Sequence, residues 1–310
     1  MIDVFFKTLP FFALVALGYG AARAQFFSPQ GTAVLTKFVF YFALPAMIFK
    51  FSSGLSFADI LDWPFIGAYV VAGGVIYALA TAVAIARGVG MAQAAVEAQC
   101  AVIGNVGFLG IPMLALLMGA AAVPYIMIML SVDLILFGSL IVVLILFSRD
   151  GRMSFTVLGT LGMGVLKNPM VVSIVLGLIW AATGWAVPAP AQDFIDMLGA
   201  AATPCALFVI GASLAGKSAE RVSVAGWLSF CKLVLHPLAV GVAVFWLFRV
   251  DGCAAAVMIA SASLPVAGNI YIVAQHYGVA PMRVSSAILV STVASVVTVS
   301  VVIAWVARLY

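Results

Sequence analysis

Charge is the scarcest commodity in this sequence. Ten acidic and fourteen basic residues among 310 leave 8% of the chain charged, where a soluble domain carries roughly 25%. Hydrophobic residues make up 66%. A soluble core could not hide that much apolar side chain, so lipid is the expected solvent for most of the surface. The net charge of +4 is scattered, with no basic run or face suited to a nucleic acid. Cysteine is thin as well. Cys100, Cys205, Cys231 and Cys253 lie in or beside apolar segments, without a C-x-x-C or a histidine at ligand spacing. They read as apolar packing residues, and neither a metal nor a cofactor is expected. No zinc-hydrolase or nucleophile-elbow pattern and no pair of intramembrane acids accompanies the histidines, which argues against an enzyme. Nothing in the chain repeats like an ion-selectivity filter, which argues against a channel. A basic leader region is missing before Thr8, so the first apolar stretch reads as a retained helix and not a cleaved signal.

What is present is long apolar runs. A helix crossing the hydrocarbon core needs about 20 mostly apolar residues. Polar residues, Pro and Gly punctuate ten such stretches: 9–24, 33–51, 64–87, 92–118, 124–148, 168–185, 195–215, 223–249, 253–277 and 282–308. Residues 149–167, glycine-rich and basic, read as a central loop. The predicted fold is therefore an all-α integral membrane protein of ten spans. Loops after odd-numbered spans hold Arg23, Lys37, Arg87, Arg149, Arg152, Lys167, Lys217, Arg221 and Arg283; the opposite side holds Lys7, Lys50, Arg249 and Arg308, nine against four. The basic excess predicts that the odd loops and the central loop are cytoplasmic, in the cell inner membrane, with both termini extracytoplasmic. Asp59, Asp62, Asp193 and Asp196 fall on the outer side.

The two halves, 1–148 and 168–310, look alike. Ala43-Leu44-Pro45-Ala46 closes the second span, and Ala202-Thr203-Pro204-Cys205 lies in the seventh, 159 residues later. Gly119 before Pro124 is echoed by Gly278 before Pro281. Five spans per half is an odd number, so the repeats insert upside down relative to each other, a common transporter plan. Within spans 4 and 9 the helix is interrupted. Gly104-Asn105-Val106-Gly107-Phe108-Leu109-Gly110-Ile111-Pro112 and Leu264-Pro265-Val266-Ala267-Gly268-Asn269-Ile270-Tyr271 combine residues that break helices. Freed backbone groups at membrane depth are tolerated where they are buried in protein or line a wet cavity. Half-helix N-termini there suit an anion, and Asn105 and Asn269 can both donate and accept. Two kinks that merely shape packing are the blander reading.

The run Gly104–Pro112, with Leu264-Pro265 followed by Ala274, His276 and Tyr277, resembles the auxin efflux carrier family. That family includes plant PIN carriers and bacterial carriers of malonate or malate. The resemblance covers essentially the whole chain and implies the fold of bile-acid sodium symporters. In that fold spans 1, 2, 6 and 7 form a scaffold, through which the protein would pair as a homodimer. Spans 3–5 and 8–10 form a transport domain that moves like an elevator, with spans 4 and 9 crossing at their breaks. Substrate-binding residues would be Asn105, Gly107, Pro112, Pro265, Gly268, Asn269 and Tyr271. Plant members carry a second crossover proline where this chain has Ile270, so Gly268-Asn269 must make that break and the substrate need not be an indole acid.

Few charges fall mid-span, and each is informative. Lys232 and His236 lie one turn apart on span 8, hence on one face; Asp133 lies well inside span 5 and could meet either. Snorkelling of Lys232 and a structural bond from His236 to a carbonyl freed by Pro237 are the alternatives to ion coupling. Glu97 lies nearer the end of span 4. Ser131, Thr203, Ser261, Ser263 and Gln275 are polar residues near the inferred crossing. The sequence reads as a secondary transporter of a small organic anion, such as malonate, malate or an auxin-like weak acid, coupled to protons or to the membrane potential. A sodium-coupled symporter of the bile-acid type is the alternative.

Overall fold

A computed structural model describes residues 2–55, 62–150, 159, 162–164, 166–216 and 222–308. Most of the central loop, with Arg152, and also Asp59, Lys217 and Arg221, lie outside the described residues. The helices are α1 (Ile2–Arg23), α2 (Pro29–Ser52), α3 (Trp63–Ala86), α4 (Met91–Val102), α5 (Val106–Met118) and α6 (Val123–Arg149). They continue with α7 (Pro169–Ala182), α8 (Ala189–Ala215), α9 (Val222–Leu247), α10 (Gly252–Ala262), α11 (Asn269–His276) and α12 (Pro281–Val306). Among the described residues six of these, α2, α3, α6, α8, α9 and α12, are long and apolar enough to cross a membrane. The predicted fourth and ninth spans are each two shorter helices, α4 and α5, α10 and α11, parted at the glycine-rich runs. The first helix starts earlier than predicted, because Asp3 and Lys7 sit within it and not before it.

Local chemistry sets the helix ends. The side chains of Ser28, Asp62, Asn168 and Asp251 accept from N–H groups in the first turns of α2, α3, α7 and α10, supplying acceptors the helix cannot. Gly119 and Gly278 end α5 and the α11 segment at φ of 84° and 64°, a conformation only glycine adopts cheaply. Wide i→i+5 turns at Val39–Ala43, Val106–Gly110 and Cys231–Leu235 each end two residues before a proline: Pro45, Pro112 and Pro237. Proline lacks its N–H, and its ring clashes with the carbonyl four residues back. Widening the preceding turn relieves that clash. A further wide turn spans Asp133–Phe137.

α1 packs along α8 at glycine contacts. A Cβ on Gly18 would stand 2.0 Å from the Phe208 carbonyl oxygen, and one on Gly211 would stand 1.8 Å from that of Val15. Small residues let membrane helices approach closely where no hydrophobic force drives them together. α2 packs on α7 and α8 in the same way, with Gly177 against Ser52 and Gly199 against Met47. α3 packs on α4 and α9, and α12 on α9 and α10. α3 buries Phe65, Tyr69, Ile76 and Ala80 while exposing Val71, Val75 and Leu79. A helix apolar on both faces, and still partly exposed, is sheathed by lipid. Gly211→Ala is expected to force α1 and α8 apart and cost roughly 1–3 kcal/mol or more. Thermal unfolding in detergent checks it, with Gly226→Ala as the control, since an added Cβ there meets nothing within 4 Å.

Candidate functional site

The two helix breaks lie side by side. Asn105 N–H donates to the Pro265 carbonyl at 2.8 Å, and Ala267 N–H to the Ile103 carbonyl at 3.1 Å. Gly104 stands opposite Val266 as an antiparallel bridge. Val266 N–H donates to Ser291 Oγ at 3.1 Å. Backbone groups that would each cost several kcal/mol if stranded are thus paired. Asn105 Oδ1 accepts from Phe108 N–H at 3.3 Å and caps α5. The first N–H groups of α11, at Asn269 and Ile270, have no acceptor within their own helix. Asn269 Oδ1 is buried without a hydrogen-bond partner among the described residues.

Around this bridge lies a cavity of about 20 Å³, lined among others by Asn105, Gly107, Asp133, Met170, Gly268 and Asn269. That volume holds a water or two, so an organic anion requires the walls to part. Met170, at the start of α7, is the wall residue outside the helices that carry the breaks and Asp133. Of the residues predicted from sequence, the structure gathers Asn105, Gly107, Gly268, Asn269 and Asp133. Pro112, Pro265 and Tyr271 do not line the cavity. Pro265 supplies the carbonyl of the bridge, Pro112 follows the wide turn of α5, and Tyr271 lies about 200° around α11 from Asn269 at 3.6 residues per turn.

Lys232 and His236 lie behind the crossing, both 0% exposed. Lys232 does not snorkel. Its ammonium donates to the Ala262 carbonyl at the end of α10 and stands 3.2 Å from His236 Nδ1. A Cβ on Gly104 would come within 3.2 Å of Lys232 Nζ, so glycine at that position admits the lysine. The cation sits at the negative end of a half-helix, where its charge is favourable. Asp133 is 4% exposed. The sequence left open a meeting with Lys232 or His236, but its Oδ1 instead accepts from the Tyr69 hydroxyl at 2.6 Å. Asp133 Oδ2 and His236 Nε2 have no hydrogen-bond partner among the described residues. The rings of Tyr69 and His236 stand 5.9 Å apart, so the four side chains form one buried group across α3, α6 and α9.

Tyr69 escaped the sequence reading; its only signal was a hydroxyl at mid-span among small residues. Glu97 is 1% exposed, because the guanidinium of Arg87 and that of Arg283, at 2.5 Å, both pair with it. Arg149 donates to the Tyr277 carbonyl and stands over its ring. Among the described residues no group of His, Cys, Asp or Glu could hold a metal ion.

A helical bundle with six long apolar helices among the described residues and buried ionisable groups at its centre is that of a multi-pass membrane protein. The chain belongs to the family described as "Membrane transport protein", which it matches over residues 3–303. It is 31% identical over 305 residues to a protein of Rhizobium meliloti (strain 1021) named "Putative malonate transporter", covering 97% of this chain and 95% of that one. It is 25% identical over 306 residues to the Escherichia coli (strain K12) protein named "Uncharacterized transporter YfdV", covering 94% and 93%. The family resemblance carried by Gly104–Pro112 is borne out, and the chain is a membrane transporter.

Proposed function

We propose that the protein is a secondary carrier of a small organic anion, a mono- or dicarboxylate of malonate or malate size, bound between the paired helix breaks. The observation that carries this reading is the bridge from Gly104 to Val266 with a small cavity beside it, lined in part by Asn105, Gly268 and Asn269. Substrate carboxylate would be held by the two amides and by the N–H groups opening α11, where the helix dipole favours negative charge. The name of the Rhizobium relative points to the same substrate class.

The close packing of α1, α2, α7 and α8 on one another supports a scaffold, and α3–α6 with α9–α12 would form the unit that carries the site past it. The matched turns at Gly119 and Gly278 support two inverted repeats. Asp133, with one unpartnered oxygen at the cavity, would take the coupling proton. Lys232 holds the place at the end of α10 that a bound cation would need, which supports proton or potential coupling over sodium.

Counterflow of labelled malonate, malate and indole acetate in proteoliposomes, with and without sodium, tests the substrate class. Asp133→Asn is expected to keep exchange of substrate for substrate while losing about tenfold or more of accumulation driven by a proton gradient, a change of roughly 1.4 kcal/mol. Sodium-dependent uptake, or full gradient-driven accumulation by the Asp133→Asn protein, would overturn the coupling assignment.

A further inference from the structure

A second cavity shares no lining residue with the crossing. It measures about 480 Å³ and lies where α1 ends, α2 begins and α8 ends. Ala22, Ala33, Ala212 and Gly216 keep it wide, and Arg23, Gln25, Thr32, Thr36 and Ser213 supply polar groups. Helix ends of membrane-crossing segments sit at the level of the lipid headgroups. Arg23 is the cation on the wall, and no partner for it is found among the described residues.

The turn beside it is unusual. α1 closes with Phe26 N–H on the Ala21 carbonyl and Gln25 N–H on that of Ala22, the paired bonds of a Schellman end. The left-handed position belongs to Gln25, at φ 60°, where glycine is the unstrained choice. A strained backbone kept for a side chain that faces a cavity points to a ligand for that side chain. Just beyond, Phe26 is 88% exposed, as an aromatic anchor at the membrane interface is.

We infer that this cavity binds the headgroup of an anionic phospholipid, with Arg23 on the phosphodiester and Gln25 and the hydroxyls on the glycerol oxygens. Arg23 is the one cation among the described lining residues, which matches a singly charged phosphodiester such as phosphatidylglycerol. Basic pockets between membrane helices near the surface bind such headgroups.

Thermal shift and native mass spectrometry of the intact protein in detergent test it, with dioleoyl phosphatidylglycerol, dioleoyl phosphatidylcholine or glycerol phosphate added. Phosphatidylglycerol is expected to raise the unfolding midpoint by several degrees more than phosphatidylcholine and to remain bound in the spectrum. Arg23→Gln and Ala33→Phe, one removing the charge and the other filling the space, are each expected to abolish that difference. Gln25→Gly separates binding from folding: it is expected to raise the midpoint without lipid, by relieving the backbone, and to weaken lipid retention several-fold. A residue of merely structural duty would gain in both. Equal retention of the two lipids, an unchanged lipid preference in both Arg23→Gln and Ala33→Phe, or a full effect from glycerol phosphate alone would each overturn the proposal.

Discussion

Lys232→Met is expected to lower uptake by about 100-fold or more while costing the folded protein roughly 2–4 kcal/mol. The lysine leaves behind two buried acceptors, the Ala262 carbonyl and His236 Nδ1, and each stranded group costs about 1–3 kcal/mol. Removing the buried ammonium returns part of that, since its desolvation is no longer needed. The effect on transport is larger than on folding because Lys232 touches both ends of the crossing at once. It holds the end of α10 by its last carbonyl and rests on Gly104, one residue from the bridged Asn105. Loss of 2.8 kcal/mol in the loaded crossing corresponds to a factor of about 100. Added methylammonium is expected to restore part of the uptake of Lys232→Ala by occupying the vacated place. Wild-type uptake by Lys232→Met would remove the lysine from the proposed mechanism.

The second large effect separates the two asparagines. Asn269→Ala is expected to leave the substrate-free protein at least as stable as the parent, because its buried carbonyl oxygen already lacks a partner. Binding of the carboxylate should nonetheless weaken about 10- to 100-fold, the worth of a hydrogen bond to a charged group at 1.5–3 kcal/mol. Asn105→Ala should lose both binding and stability, since its side chain also caps α5, a contact worth about 0.5–2 kcal/mol. Asn105→Ser keeps a capping oxygen and is expected to recover stability without recovering affinity. Thermal melts with and without substrate read both quantities together. An Asn269→Ala protein that is destabilised when empty, or that binds as tightly as the parent, would show that the amide is structural.

The breaks were legible because their causes are local. Gly104 and Asn105, and Pro265 and Gly268, act on their own backbone, and the helices part where those residues stand, while Gly107 and Pro112 lie within α5. The starts of α3 and α7 were legible for the same reason, at Asp62 and Asn168 and the prolines that follow them, whereas α2 begins at Ser28-Pro29, four residues before the predicted span. What could not be read was which distant residue would complete each local need. A tyrosine in an apolar helix looks like any membrane aromatic, and only the packing of α3 on α6 and α9 makes Tyr69 the donor to Asp133. Nothing in the sequence marks Met170 as the residue with which α7 closes the cavity. Glu97 owes its burial to Arg283, far along the chain, and an acid near the end of a span gives no sign that two arginines will enclose it. Tyr271 and Pro112 were drawn from a motif, and a motif does not say which way a side chain turns on its helix.

The bridge between Gly104 and Val266 fastens the two breaks to each other. In the proposed carrier the ligand's surroundings then belong almost wholly to one travelling body, which keeps the same amides and the same dipoles whichever compartment it opens to. The dissociation constant should accordingly match at the two faces of the membrane, apart from what Met170 contributes on closing. Such a protein is indifferent to direction: whether it fills a cell or empties one is decided by the voltage, the acidity and the ligand concentrations on either side.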